Sequence, residues 1–115
     1  MPPMTGYSQG DVVLVNFVFS DESGIKHRPA LILSADRYHQ KRQEAIVAAI
    51  TSNVNRLLIG DHKMKDWRRS GLLFPSVVTG IIRTVKQNMI SRQIGAATAG
   101  DLRGVRRKLR EILAL

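Results

Sequence analysis

The chain has no cysteine, which removes disulfides, thiolate zinc sites and cysteine nucleophiles together. The fold must therefore hold by packing alone, and a reducing compartment is permitted. The opening MPPMTGYSQGD has neither a charged start nor an apolar signal core, and no uninterrupted apolar run approaches the ~20 residues that cross a bilayer. These absences predict a soluble, cytoplasmic protein without a membrane partner. Glycine-rich phosphate loops of the Walker or dinucleotide type are also missing. His27, His39 and His62 lie far apart in sequence, HKMKD at 62–66 has no second histidine at helical spacing, and a cysteine-free zinc site would need carboxylates that are sparse. Ser34, Ser52 and Ser76 lack the glycine spacing and strand-to-helix turn of a nucleophile elbow. Any chemistry is expected to proceed without a metal or cofactor.

Acidic residues are scarce as well. Nine Asp and Glu stand against 18 Lys and Arg, giving a net charge of +9 and a pI near 10.9. That is the footprint of a protein that meets polyanions or a strongly acidic partner, the plainer alternative being a solvated basic surface. The 43% apolar content is spread along all 115 residues, without an internal repeat, linker or composition break. One domain over residues 1–115 is therefore expected.

Along the chain, Gly10-Asp11 leads into VVLVNFVF (12–19), β-branched and aromatic strand composition, nearly apolar on both faces. SDESG (20–24) is a turn cluster, so the chain is expected to return as an antiparallel hairpin. Pro29 lacks a donor and predicts a strand start or edge, with a strand from about Ala30 to Ser34. ADRYHQKRQE (35–44) fits either a short helix or a loop. Further strands are expected at 44–53, at RLLIG (56–60), and near 76–85 and 88–95, with an irregular loop or helical turn around Trp67. The tail is the clearest helix. Thr98 and Asp101 have capping-box spacing, and Leu102, Val105, Leu109, Ile112 and Leu113 mark one apolar face. Arg103, Arg106, Arg107, Lys108 and Arg110 occupy the remainder, as a solvated face or as a nucleic-acid contact. Short strands followed by one amphipathic helix predict a small curled sheet or barrel with the helix lying on it.

GDVVLVNFVFSDESGIKHRPALILS (10–34), AAITS (48–52), DWRRSGLLFPS (66–76), IIRTVKQNMISRQIG (81–95) and DLRGVRRKLREILAL (101–115) follow one another in an order and spacing that resemble the MazF/PemK toxins of type II toxin–antitoxin systems. The resemblance spans essentially the whole chain. It implies a mainly β fold, an SH3-like barrel of the CcdB/PemK type with a C-terminal helix, working as a homodimer. It also implies an endoribonuclease that cuts single-stranded mRNA at a short sequence without metal, leaving a cyclic phosphate and a free 5′-hydroxyl. A cognate antitoxin would cover the groove with an acidic segment, and together the two would bind DNA. RNA and an acidic antitoxin are both polyanionic, so the charge suits either.

The resemblance places the two recurrent catalytic positions on Arg28 and Thr51, with Ser52 able to share the role of Thr51. A guanidinium can grip two oxygens of a developing phosphorane while a hydroxyl makes a third contact. The plainer readings are an ion pair of Arg28 with Asp21, Glu22 or Asp36, and an ordinary strand-end threonine. Arginine stays protonated and is a poor base, so His27 is a candidate for proton transfer, although strand alternation would turn it away from Arg28 unless Pro29 disturbs the pleat. An arginine–aspartate pair two residues apart serves some relatives as acid and base. Here Arg83 would take its first place, but Val85 stands in the second. Lys26, Asn53, Arg56, Lys65 and Arg83 are expected as RNA contacts, and Trp67 as either a base-stacking platform or the edge of the core or of a dimer interface. Two other functions share this architecture: a CcdB-like gyrase poison that cleaves nothing, and an inactive RNA-binding module.

Overall fold

A computed structural model describes residues 6–19 and 24–115. Its strands are β1 (Asp11–Phe19), β2 (Gly24–Ile32), β3 (Glu44–Thr51), β4 (His62–Lys63), β5 (Val77–Lys86) and β6 (Ile90–Ala96), and its helices are α1 (Asp36–Arg42) and α2 (Ala99–Leu113). The strands form one six-stranded antiparallel sheet in the order β4-β5-β3-β2-β1-β6.

Alternation explains why the first strand reads as almost wholly apolar. Val12, Leu31, Ala48 and Ile50 enter one buried cluster, whereas Val13, Val15, Ala30, Ile32 and Val47 enter another. A sheet buried on both faces needs apolar residues at successive positions. The first cluster is roofed by α2, through buried Val105 and half-buried Leu102 and Leu109, together with Met64 and Leu72. Register shifts between Val12 and Val13, between Leu14 and Val15, and between Ala48 and Ile50 mark irregularities of the kind that bend and coil a sheet.

The sheet is strongly curled by its connections but is not closed by a ladder. β4 has two residues and pairs with β5 alone, too short to reach β6. Instead the 64–76 connection presses against β6 at two glycines. A Cβ on Gly71 would lie 2.0 Å from the Ile94 carbonyl oxygen, and one on Gly95 would lie 2.1 Å from that of Ser70. Gly71 also has φ +89°, a conformation glycine adopts without penalty. The expected barrel-like architecture with a C-terminal helix is present, and backbone-to-backbone contact joins its two ends.

Three local expectations need correction. RLLIG (56–60) is not a strand: Leu57, Leu58 and Ile59 are 52%, 55% and 75% exposed, so the run never joins a core, and the fourth strand is His62–Lys63. β2 does not begin after Pro29 but runs from Gly24 through it, with the β1 register unbroken and Pro29 opposite Leu14. The β3 pairing starts only at Ala30, so on that side β2 is a free edge at Pro29 and the missing N–H costs no ladder bond. The capping box is half formed. Thr98 Oγ1 accepts the Asp101 N–H at 3.3 Å, but the Asp101 carboxylate turns inward to His62 and to the N–H groups of Lys65 and Asp66. The ambiguous 35–44 segment resolves as α1, and the β1–β2 ladder confirms the hairpin, whose tip at 20–23 lies outside the described residues.

Candidate active site

The free edge of β2 opens onto a cavity of about 310 Å³ on the α2 side of the sheet. Its apolar lining comes from Leu14, Pro29, Ile50, Leu72 and Ile94, and its polar side chains include Arg28, Thr51 and Ser52. Leu73 and Phe74, 83% and 63% exposed, also border it. Arg28 is exposed, and among the described residues no carboxylate lies within ion-pair distance of it, Asp36 included. Asp21 and Glu22 lie outside the described residues.

Thr51 ends β3, and its Oγ1 accepts the Asn53 N–H at 3.1 Å. Asn53 Oδ1 in turn accepts the Asn55 N–H at 3.3 Å. These two side-chain turns hold the start of the loop and leave the Thr51 hydroxyl proton and the Asn53 amide N–H groups available to a ligand. Thr51 also lines a second cavity, of about 510 Å³, with Asn53, Arg56, Leu58, Ile59 and Ile81. The two hollows therefore meet at one threonine.

Other expected site residues are distributed more widely. Continuous β1–β2 register puts His27 opposite Asn16, on the same sheet face as Leu14 and Pro29, one pleat beyond the lining. Pro29 thus leaves the pleat undisturbed, and His27 and Arg28 start from opposite faces of the strand. Lys26 is exposed, opposite Phe17. Arg83 pairs with Val47 on β5 and holds its guanidinium 5.3 Å from the Phe17 ring centroid, away from the first cavity's lining. Lys65 and Trp67 line a third hollow of about 310 Å³ with Asp66, Arg68 and Arg69. The Trp67 ring packs partly on the core, as the core-edge reading expects, and carries the Arg68 guanidinium at 5.0 Å.

Leu72, Leu73 and Phe74 were not expected at the site. Their signal was the apolar LLFP run between Gly71 and Ser76, which reads equally well as core. Asp101 was assigned only to the helix cap, yet its side chain is 1% exposed and fastens the start of the connection that supplies those residues. Burial alone would raise its carboxyl, but hydrogen bonds from the Lys65 N–H, His62 and the Asp66 N–H outweigh that and hold it below the usual carboxylate range. Among the described residues no three His, Asp or Glu side chains group as metal ligands, and no helix is long and apolar enough to cross a membrane.

Comparison with known proteins connects this arrangement to others. A comparison with curated proteins finds no match. Among solved structures, MazE-MazF (Form-III) from Deinococcus radiodurans superposes with a TM-score of 0.78 at 23% identity, covering 95% of this chain and 97% of that one. An endoribonuclease in complex with its cognate antitoxin from Mycobacterial species gives 0.75 at 18% identity, covering 96% and 97%. Mycobacterium tuberculosis toxin MazF-mt6 gives 0.74 at 25% identity, covering 91% and 97%. The shared fold extends over nearly the full length of each partner. The family model described as "PemK-like, MazF-like toxin of type II toxin-antitoxin system" matches residues 8–113, from the turn before β1 to the end of α2, and the chain belongs to that family.

Proposed function

We propose that the protein is the toxin of a type II toxin–antitoxin pair and acts as an endoribonuclease on single-stranded RNA, with Arg28 and Thr51 as its principal catalytic side chains. The observation that carries this reading is the convergence of Arg28, Thr51 and Ser52 on one apolar-walled cavity. The 2′-hydroxyl attacks the adjacent phosphorus and gives up its proton, and the bond to the 5′-oxygen breaks as that oxygen takes a proton. The products are a 2′,3′-cyclic phosphate and a 5′-hydroxyl. Negative charge builds on the non-bridging oxygens, where a guanidinium donates two parallel hydrogen bonds and a hydroxyl adds one. Apolar walls around the cavity lower the local dielectric and strengthen those contacts.

The proton needs an acceptor other than arginine, and the other two histidines are engaged. His39 is buried, its ring nitrogens 2.6 Å from Ser34 Oγ and 3.0 Å from the Tyr7 carbonyl oxygen, and His62 bonds Asp101 at 2.9 Å. His27 is exposed on the cavity's face of β2, and we assign it the proton transfer. Asn53 and Arg56 in the second hollow extend the RNA track from Thr51. The net charge of +9 suits RNA and equally an acidic antitoxin segment, and the similar mycobacterial endoribonuclease is in complex with its cognate antitoxin. Exposed Leu57, Leu58, Ile59 and Ile81 offer an apolar surface for a homodimer.

Incubation of the purified protein with a long RNA in EDTA, followed by mapping of cut sites and end chemistry, tests the reading. Cuts at a recurrent short sequence with cyclic-phosphate and 5′-hydroxyl ends are expected. Intact RNA would overturn the enzyme assignment and turn attention to a protein target.

A further inference from the structure

The outward face of α2 carries a row of cations that the cleavage cavity does not use. Arg103, Arg106, Arg107 and Arg110 recur at i, i+3, i+4 and i+7, the spacing that stacks side chains into one stripe. All are exposed, whereas Asp101, Gly104 and Val105 on the other side of the helix are buried. At 1.5 Å per residue the stripe is about 10 Å long. Like charges at these spacings oppose helix formation, and of the four only Arg110, in the last turn, complements the helix dipole. A merely solvated face would mix signs, yet the one exposed acid of the helix is Glu111, outside the stripe. Among the described residues the ion pairs are Arg42–Glu44 and His62–Asp101, so none of the stripe's charges is neutralised; Arg106 bonds the uncharged Gln9 side chain.

The helix also lies on the cavity's side of the sheet. Val105, Leu102 and Leu109 join the same cluster as Ile50, Leu72 and Ile94, which line the cavity. We propose that the α2 stripe is a second RNA-phosphate contact outside the cleavage cavity, holding backbone that flanks the cleaved bond in long RNA without reading its sequence. The inference rests on RNA being the substrate. Charge complementarity selects the occupant: guanidinium forks match phosphate oxygens two at a time, and the exposed arginines of the stripe lack the apolar walls that would select a base.

The test uses the full-length protein with Arg103, Arg106, Arg107 and Arg110 all changed to Gln, which keeps helix propensity. Its substrates are a short oligonucleotide carrying one cleavage site and a long RNA carrying the same site. Turnover of the short oligonucleotide should be unchanged, with KM for the long RNA raised about tenfold. The log–log salt slope for long-RNA binding should fall by about 1.4 to 2.8, for two to four phosphates at ≈ 0.7 each. An unchanged slope and KM would overturn the proposal, as would a variant that loses only its affinity for an acidic antitoxin peptide. If the wild-type protein cleaves neither RNA, the endoribonuclease reading has failed, while the slope measured by binding still decides the stripe.

Discussion

Arg28 and the arginines of α2 bring the same guanidinium into opposite surroundings. Arg28 stands at the rim of a hollow walled by leucine, isoleucine and proline, with the hydroxyl side chains of Thr51, Ser52 and Ser76 in the same lining. The α2 arginines are exposed along the helix beside Lys108 and Glu111, and Arg106 bonds the uncharged Gln9 side chain. In the first setting apolar walls lower the dielectric on one side and neighbouring hydroxyls give the charge a direction; in the second, screening leaves an attraction that is indifferent to geometry. The difference teaches that charge count predicts affinity for a polyanion, whereas walls and neighbouring donors decide where chemistry can occur.

That contrast breaks first at Arg28. Arg28→Ala should lower turnover at least about a hundredfold, the usual scale for removing one transition-state donor. Arg28→Lys should recover little, because a point charge lacks the fork. Single-turnover cleavage measures both, with circular dichroism confirming an unchanged fold. Gly95→Ala should come next, since its Cβ meets the Ser70 carbonyl oxygen at 2.1 Å and neither backbone can yield cheaply. A loss of at least about 1–3 kcal/mol in stability, seen as a lower denaturation midpoint, should accompany reduced cleavage, while the α2 quadruple variant leaves the short-substrate rate intact. Thr51→Ala should cost about one hydrogen bond's discrimination, roughly tenfold at 1.4 kcal/mol per decade, and Thr51→Ser should retain most activity. Equal rates for the Ala and Ser variants would remove the hydroxyl from the mechanism.

The smallest effect is the pH dependence of the clamp between α2 and the 64–76 connection. The Asp101 carboxyl is held below its ordinary value in the folded state. Its contribution is therefore complete above the unfolded value of about 4 and is lost as pH falls through the lowered folded value. Urea midpoints measured downward from neutral pH should decline in that acidic window, and Asp101→Asn should flatten the decline.

The residues differ in how legible they were. α2 was readable because its cap and its apolar face are both local patterns, and its boundaries follow from Thr98 onward. β1 was readable because burial on both faces leaves a nearly continuous apolar run. RLLIG misled because an apolar run that reads as a strand stayed exposed instead, and hydropathy alone cannot separate a core strand from an exposed loop. Arg28 and Thr51 were singled out through family resemblance to ordered motifs, and both line one cavity. The share of the cavity formed by Leu72, Leu73, Phe74 and Ile94 was not, because it depends on a connection meeting a distant strand.

The sequence by itself determined a basic, cysteine-free chain of short strands and one capped amphipathic helix, because charge balance, periodicity and capping act over a few neighbouring residues. Only the tertiary structure decided that Pro29 sits inside a strand, that Asp101 turns inward to pin a loop, and that Gly71 and Gly95 bring the two ends of the sheet together around the cavity. Those outcomes depend on which backbone lies within a few ångströms of another, and that is set by the packing of the whole sheet.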